Sequence, residues 1–313
     1  MGTRLIGDVA LSHLGDVKTR KDLGGVDVVG IPTGFWQVDE FIGGLRADTV
    51  GVIAGRPGMG KSALALDIAL NVAKQNKRVV LYSLEMTAER LTNRLLSRLT
   101  DIPSGKIIRG RLTDDEFQRV RRAAEELGDT PLALCDDTHD SLTITDHIKN
   151  LAERALQSDG PNLELMIIDY ASLLRDRLAI NENERLGRIS NNIRALARPD
   201  QLNIPILLLA QLNREVEKRE NHMPQLSDIR DSGSIEQDAE WVAMVHRPHY
   251  YAMQQGSAPL PVEQDGAIIL AKNREGPTGL TRAEFYPAKT MWKQNKPVPL
   301  SPKPIEKGLT KRG

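Results

Sequence analysis

The sequence has few cysteines, histidines and aromatic residues. Cys135 is the single cysteine in 313 residues, so an internal disulfide is excluded and a cysteine-based metal cluster is not indicated. We interpret Cys135 as a small apolar residue at a strand end rather than a catalytic thiol. The six histidines show no metal-binding spacing. Aromatic residues make up 4% of the chain, which argues against a broad surface for stacking nucleic-acid bases.

The chain also lacks long apolar runs and an excess of charge of either sign. No apolar stretch approaches the roughly 18 residues of a membrane-spanning helix, and the N-terminus has no secretory signal. We therefore expect a cytoplasmic protein with no membrane partner. The 42 basic and 42 acidic side chains cancel, so any nucleic-acid site must be local rather than a general basic surface.

Apolar, strand-like runs alternate with helical segments along most of the chain. This alternation predicts an α/β fold with a mostly parallel central sheet flanked by helices. The late strands have little helix between them and should form an antiparallel extension. We expect residues 1–30 to form a leader with one short helix near 9–17, residues 31–288 to form the core domain, and residues 289–313 to be a basic, proline-rich and poorly ordered tail. The candidate strands are 49–54, 78–83, 132–135, 163–169, 205–210, 241–246, 266–271 and 282–286, and the candidate helices are 63–75, 88–99, 114–127, 144–157 and 183–197.

A glycine-rich segment fits the pattern GxxxxGK(S/T) without a mismatch. It lies between a predicted strand and a predicted helix, which is the context that a phosphate-binding loop needs. Its glycines let backbone N–H groups point at phosphate oxygens. In such loops the lysine reaches the β- and γ-phosphates and the hydroxyl ligates Mg²⁺. We predict a site for ATP, or another nucleoside triphosphate, with Mg²⁺; the alternative is a chance glycine-rich turn. The segment is Gly55-Arg56-Pro57-Gly58-Met59-Gly60-Lys61-Ser62.

Three polar residues follow other predicted strands and are candidates to complete this site. Asp169 ends an apolar run and has the form of a Walker B carboxylate, which would hold Mg²⁺ opposite Ser62. Glu85 lies just beyond the second candidate strand; it is either a catalytic base or an exposed carboxylate at a helix start. Gln211 could sense the γ-phosphate, or could be an ordinary polar strand end.

Several further segments of the sequence carry the signature of a known family. They are Gly30-Ile31-Pro32-Thr33-Gly34-Phe35, Ser83-Leu84-Glu85-Met86, Ile168-Asp169-Tyr170, Ala210-Gln211-Leu212-Asn213-Arg214, Ser232-Gly233-Ser234-Ile235-Glu236-Gln237-Asp238-Ala239 and Lys272-Asn273-Arg274-Glu275-Gly276-Pro277. They occur in the order found in bacterial replicative helicases of the DnaB type, which the chain resembles over roughly residues 29 to 286. The resemblance implies a RecA-like P-loop NTPase motor domain. It further implies a homo-hexameric ring around single-stranded DNA that translocates 5′ to 3′ and unwinds duplex while hydrolysing ATP.

The resemblance also assigns roles to individual residues. It makes Glu85 the catalytic base, Asp169 the Mg²⁺ carboxylate and Gln211 the γ-phosphate sensor. Arg274 resembles an arginine finger with Lys272 as its companion, both reaching the nucleotide of the adjacent subunit. A cation delivered in this way is typically worth a factor of about 10³ to 10⁵ in rate, and it makes hydrolysis depend on assembly.

The DNA-binding segment that the resemblance implies is short. Arg230, with backbone N–H groups near Asp231 and Gly233, would hold phosphates in the central channel without reading bases. Residues 175–188 and 214–222 carry both signs of charge. They are either further channel loops or ordinary solvated loops.

One departure from the resembling family concerns the N-terminus. Members of the family usually carry a helical domain and a linker before the motor, and here about thirty residues precede it. Both a shortened form of a longer protein and a compact phage or mobile-element helicase fit this pattern. The helicase loader and the primase are partners that the family implies, and any primase contact made through the absent domain is in doubt.

Two other functions share the same core. A strand-exchange recombinase of the RecA or RadA type would form filaments on DNA, and a non-motor loading ATPase would bind DNA without displacing a strand. The 232–239 and 272–277 segments favour the helicase over the recombinase, and the loading ATPase stays open as an alternative.

Overall fold

The computed structural model describes residues 5–22, 28–136, 162–169, 182–229, 233–254 and 264–294. In these ranges nine strands form one sheet, and the chain order of the strands differs from their order in the sheet. The strands are β1 (Val50–Gly55), β2 (Arg78–Ser83), β3 (Leu132–Cys135), β4 (Leu163–Asp169), β5 (Ile206–Gln211), β6 (Trp241–His246), β7 (Gln264–Asn273), β8 (Gly279–Tyr286) and β9 (Met291–Lys293). Their order across the sheet is β3-β2-β4-β5-β1-β6-β7-β8-β9.

Helices lie on both faces of this sheet. No helix in the described ranges combines the length and the apolar character needed to cross a membrane. In the described residues two 3₁₀ helices span Arg214–Lys218 and Leu226–Asp228. The α-helices of the described part are α1 (Ile6–Asp22), α2 (Trp36–Ile42), α3 (Lys61–Ala73), α4 (Ala88–Thr100), α5 (Ser104–Ile108), α6 (Asp114–Gly128), α7 (Glu182–Ala197), α8 (Gly233–Asp238) and α9 (Pro248–Gln254).

The six strands from β3 to β6 are parallel and form the centre of the domain. Every residue of β1, β2 and β6 is buried, as expected for strands that are covered on both faces. Leu66 and Ile68 of α3 belong to the apolar cluster on one face, and Leu186 and Ile193 of α7 belong to the cluster on the other. The predicted α/β class with a mostly parallel sheet is therefore confirmed.

The antiparallel extension is also confirmed, and it is longer than the sequence predicts. β7 pairs with β6, β8 with β7, and β9 with β8, all antiparallel. Trp292 in β9 is 2% exposed, and its backbone N–H donates to the Asp67 carboxylate of α3. β9 follows the expected boundary at residue 288, and a single tryptophan within a basic, proline-rich stretch holds this short strand against α3. Residues 295–313 lie outside the described residues.

The leader helix is longer than expected and lies exposed. α1 covers 17 residues, and none of them is buried. Leu11 is 70% exposed and Leu14 is 60% exposed, so the apolar side of α1 has no covering within the described chain. The candidate helix at 144–157 falls outside the described residues.

Candidate nucleotide-binding site

The glycine-rich loop connects the end of β1 with the start of α3. Gly60 caps α3 with φ of 95°, and Gly58 has φ of 79°. Both values lie in the left-handed region, where glycine is favoured because it has no Cβ. The loop therefore has the strand, turn and helix N-terminus that the motif predicts, and a helix N-terminus attracts anions.

The candidate metal-binding residues meet at the base of α3. Asp169 at the end of β4 is 2% exposed. Burial raises the pKa of its carboxyl group, while the hydrogen bond with Ser62 and the charge of Lys61 act in the opposite direction. Lys61 is itself 7% exposed. Lys61 and Ser62 of the motif and the separately predicted Asp169 therefore lie close enough together to act on one another.

The donor atoms at this position suit Mg²⁺. Oδ1 of Asp169 is buried and has no hydrogen-bond partner among the described residues. A buried carboxylate oxygen without a partner is costly unless a cation or water satisfies it. Within the described ranges no group of three His, Cys, Asp or Glu side chains could hold a metal ion alone. An ion here would depend on Asp169, Ser62 and substrate phosphates, as Mg²⁺ commonly does.

The sheet order brings the other candidates to the same edge. Gln211 pairs directly with Gly55 across β5 and β1, and Ser83 pairs with Asp169 across β2 and β4. Glu85 follows β2 and is exposed, and its charge contributes to raising the pKa of Asp169. β4 and β5 lie between β2 and β1, so Glu85 is not on a strand adjacent to the phosphate loop. It nevertheless belongs to the group of charges around Asp169.

Arg94 is a member of this group that the sequence reasoning missed. It lies on α4, where burial lowers its pKa and the carboxylates of Asp169 and Glu85 act in the opposite direction. Arg90, Arg94 and Arg98 recur every four residues, so they share one face of the helix. That spacing, directly after Glu85, was the available signal.

Arg56 and Met59 of the loop serve different purposes from its glycines. Met59 is 2% exposed and belongs to the apolar core. The Arg56 guanidinium donates to the Leu212 carbonyl at 2.8 Å and to Oε1 of Glu217 at 2.9 Å and 2.8 Å. The Arg56 side chain therefore connects the loop to the segment after β5, and only its backbone remains a candidate phosphate contact. Pro57 is exposed.

Lys272 lies near the end of β7 and Arg274 directly follows that strand, and both contact α8. Lys272 donates to the carbonyls of Glu236 and Gln237, and Arg274 donates to the carbonyl of Gln237. The last carbonyls of a helix favour cations. In the single chain these two residues therefore bind the C-terminal end of α8, and the structure does not bring them to the phosphate loop.

The predicted DNA-binding segment is described only in part. Arg230 and Asp231 lie outside the described residues, and Gly233 begins α8. The chain just before this segment is tightly held, because Arg219 donates to both carboxylate oxygens of Asp228 at 2.6 Å. Asp228 is 1% exposed.

Comparisons with known proteins agree with this arrangement. The sequence model of the family described as DnaB-like helicase C terminal domain matches residues 30–294. The replicative DNA helicase DnaB of Geobacillus stearothermophilus is 37% identical over 262 residues, which cover 83% of this chain and 55% of that protein. Its counterpart from Helicobacter pylori strain 26695 is 33% identical over 314 residues, covering 91% of this chain and 63% of the relative. The chain thus spans between about half and two thirds of these relatives.

Two solved structures share the fold. One, an ATPase domain, has a TM-score of 0.83 at 26% identity and covers 94% of this chain and 100% of that chain. A DnaB-like replicative helicase, described with its interactions with primase, has a TM-score of 0.80 at 25% identity and covers 94% of this chain and 68% of that one. These likenesses agree with a RecA-like core.

Proposed function

Because the chain belongs to the DnaB-like helicase C-terminal domain family, we propose that it is the motor of a replicative DNA helicase. It hydrolyses ATP, or another nucleoside triphosphate, with Mg²⁺ and moves 5′ to 3′ along single-stranded DNA while unwinding duplex. The observation that carries this proposal is that Lys61 and Ser62 lie beside Asp169. The buried Oδ1 of Asp169 has no hydrogen-bond partner in the described chain.

Each residue of the nucleotide site has a separate task in this proposal. The backbone from Gly55 to Ser62 and the Lys61 ammonium group bind the phosphates. Ser62 and Asp169 hold Mg²⁺, which neutralises charge that develops on the transferring phosphoryl group. Glu85 accepts a proton from the attacking water, and Gln211, which pairs with Gly55, responds to the γ-phosphate. Arg94 places a positive charge beside Glu85 and Asp169.

The site is completed by a second subunit in a homo-hexamer. Lys272 and Arg274 are the cations proposed to act in trans, since they contact α8 in their own chain. The apolar side of α1 supports assembly, because Leu11 and Leu14 are exposed here and an isolated helix of this length is marginally stable in water. A neighbouring motor is the partner we propose for that side.

The proposed path of DNA lies in the ring centre. Arg230 and the backbone near Asp231 and Gly233 contact phosphates and therefore hold DNA of any sequence. A helicase loader and a primase are further proposed partners, the latter because one structural neighbour is described with its primase interactions. The cytoplasm is the compartment in which such a motor would meet DNA.

Measurement of mass in solution tests the assembly. Light scattering should give six times the chain mass of 34.7 kDa with a nonhydrolysable ATP analogue and single-stranded DNA.

On a fork with a free 5′ tail, ATP should drive strand displacement. Filaments without closed rings would favour the recombinase, and DNA-stimulated hydrolysis without displacement would favour the loading ATPase.

A mixing experiment tests the finger separately. Lys61→Ala subunits should bind no nucleotide, and Arg274→Ala subunits should bind nucleotide but hydrolyse it poorly. Mixed rings should recover part of the hydrolysis, because an intact phosphate loop then faces an intact Arg274. If the mixture hydrolyses no faster than the two variants separately, Arg274 does not act in trans.

A further inference from the structure

Two carbonyl groups of the phosphate loop are held by side chains from the antiparallel side of the sheet. Nη1 of Arg247, just after β6, donates to the Gly58 carbonyl at 2.8 Å. Nε1 of Trp292, in β9, donates to the Gly60 carbonyl at 3.0 Å. Arg247 reaches the loop because β6 lies directly beside β1, and Trp292 reaches it because β9 packs against α3.

Arg247 is fixed by aromatic rings as well as by the loop. It is 5% exposed, and its guanidinium lies 3.7 Å from the centre of the Phe285 ring and 5.4 Å from that of Tyr250. Phe285 packs edge-on against Trp292 with ring centres 5.1 Å apart. We call Arg247, Tyr250, Phe285 and Trp292 the loop platform. It gathers three of the twelve aromatic residues of the chain, which has 3 Trp, 5 Tyr and 4 Phe.

The loop lies so close to the platform that a side chain would not fit at either glycine. A Cβ atom on Gly58 would lie 2.5 Å from the Tyr250 hydroxyl oxygen, and one on Gly60 would lie 2.7 Å from Nε1 of Trp292. The glycines therefore allow the loop to contact the platform. They also create a difficulty at Gly58, because glycine adopts several backbone conformations easily and its peptide group can rotate. The Gly60 carbonyl accepts the Leu64 N–H of α3 at 2.9 Å, and the Trp292 N–H adds a second bond to the same oxygen.

We propose that Arg247 and Trp292 are positioning residues that fix the orientation of the peptide groups after Gly58 and Gly60. In a trans peptide the C=O and the following N–H point in opposite directions. Holding the Gly60 carbonyl on the platform side thus presents the Lys61 N–H at the helix N-terminus. Holding the Gly58 carbonyl prevents its oxygen from turning toward an anionic phosphate. The buried guanidinium adds a fixed positive charge behind the loop.

Arg247 keeps that charge under ordinary conditions. Burial lowers its pKa to about 10, so the guanidinium is protonated at neutral pH. The inference rests on the proposed nucleotide site, and it concerns residues that the motif itself does not contain.

Equilibrium binding of pyrophosphate and of ADP with Mg²⁺, measured by calorimetry, tests the inference without hydrolysis. Arg247→Met should weaken both ligands about tenfold, equal to about 1.4 kcal/mol, because the platform acts on phosphates and not on the base. Arg247→Lys should recover part of this loss, since an ammonium can still donate to the carbonyl. In steady-state assays the KM for ATP should rise more than kcat falls. Arg282→Met, an exposed substitution on β8, is the matched control and should bind like the wild type.

Trp292→Phe provides a second test that removes one N–H while keeping a ring. It should weaken both ligands about threefold, and it remains informative if Arg247→Met does not fold. Wild-type affinity in both Arg247→Met and Trp292→Phe, whatever their melting temperatures, would overturn the inference. Failure of the wild type to bind either ligand would instead overturn the proposed nucleotide site.

Discussion

Replacing Arg98 with methionine should destabilise the fold, because Arg98 holds α3, the helix that follows the phosphate loop. Arg98 on α4 and Asp67 on α3 form an ion pair whose side chains are 3% and 7% exposed. Nη2 of Arg98 also donates to the carbonyls of Ala63 and Thr290 at 3.2 Å and 2.7 Å. Arg98→Met removes all of these contacts and leaves Asp67 with the Trp292 N–H at 2.8 Å.

The expected loss is large and depends on pH. Removing one partner of a buried ion pair costs about 3–5 kcal/mol, because the other charge remains buried. Burial raises the pKa of Asp67 from 3.8 to about 6, against the attraction of Arg98. Without Arg98 the pKa should rise further. A carboxyl whose pKa is raised on folding contributes its full stability below the unfolded value of 3.8 and loses it as the pH rises through the folded value. The variant should therefore lose more unfolding free energy at pH 8 than at pH 5.

Urea unfolding at pH 5 and pH 8 measures this difference directly. The loss of unfolding free energy caused by Arg98→Met should be smaller at pH 5, where Asp67 takes up a proton in the folded state. Arg121→Met is the control, because Arg121 and Glu125 form an exposed pair with 65% and 63% of their side chains exposed. Such a pair is worth about 0.2–0.5 kcal/mol. An equal loss for Arg98→Met at both pH values would refute the argument that a buried Asp67 charge sets the cost.

Three further substitutions test the candidate sites themselves. Lys61→Ala should abolish nucleotide binding and phosphate release, since the cation that meets the β- and γ-phosphates is gone; normal ATPase activity would show that the loop has another role. Asp169→Asn should weaken Mg²⁺ binding measured in the presence of ADP. As the pH is lowered, Mg²⁺ binding to the wild type should begin to weaken at a pH above the ordinary pKa range of carboxyl groups. The reason is that burial raises the pKa of Asp169 and the metal requires the ionised form. Mg²⁺ affinity that stays constant down to about pH 4 would contradict this. Arg230→Ala should weaken single-stranded DNA binding alike for all sequences and reduce its salt slope by about 1; unchanged affinity in a fluorescence titration would remove Arg230 from the DNA path.

The fold follows from sequence where local signals and burial agree. All eight candidate strands have counterparts in the sheet, because continuous apolar runs are needed wherever both faces of a strand are covered. A capping box precedes α6, with Thr113 and Glu116 bonded reciprocally, and the spacing of these two residues in the sequence is typical of this motif. β9 was not predicted because three residues are too few to show the alternation of a strand. Its place in the sheet depends on the contact of Trp292 with α3.

The candidate site was predictable only as far as motifs extend. Gly55 to Ser62 and Asp169 are recognisable from spacing and context, so their proximity could be expected. Arg94 and Arg247 could not be placed in this way, because an arginine on a helix or after a strand is usually exposed. Their importance comes from the nearby charge of Asp169 in the case of Arg94 and from packing against Phe285 in the case of Arg247, and both are products of tertiary packing.

The contact of Lys272 and Arg274 with α8 has a consequence for how the proposed motor would couple its sites. Both cations satisfy carbonyl groups at the end of α8, and α8 follows directly after the segment that contains Arg230. A phosphate of the neighbouring subunit carries a full negative charge and is a stronger partner than a carbonyl group. If Lys272 and Arg274 both move to that phosphate, the carbonyls of Glu236 and Gln237 lose these donors and the end of α8 is released. Nucleotide bound to the neighbouring subunit would then affect the segment of this chain that contains Arg230, because α8 connects the two. Hydrolysis and movement on DNA would therefore depend on the same two side chains.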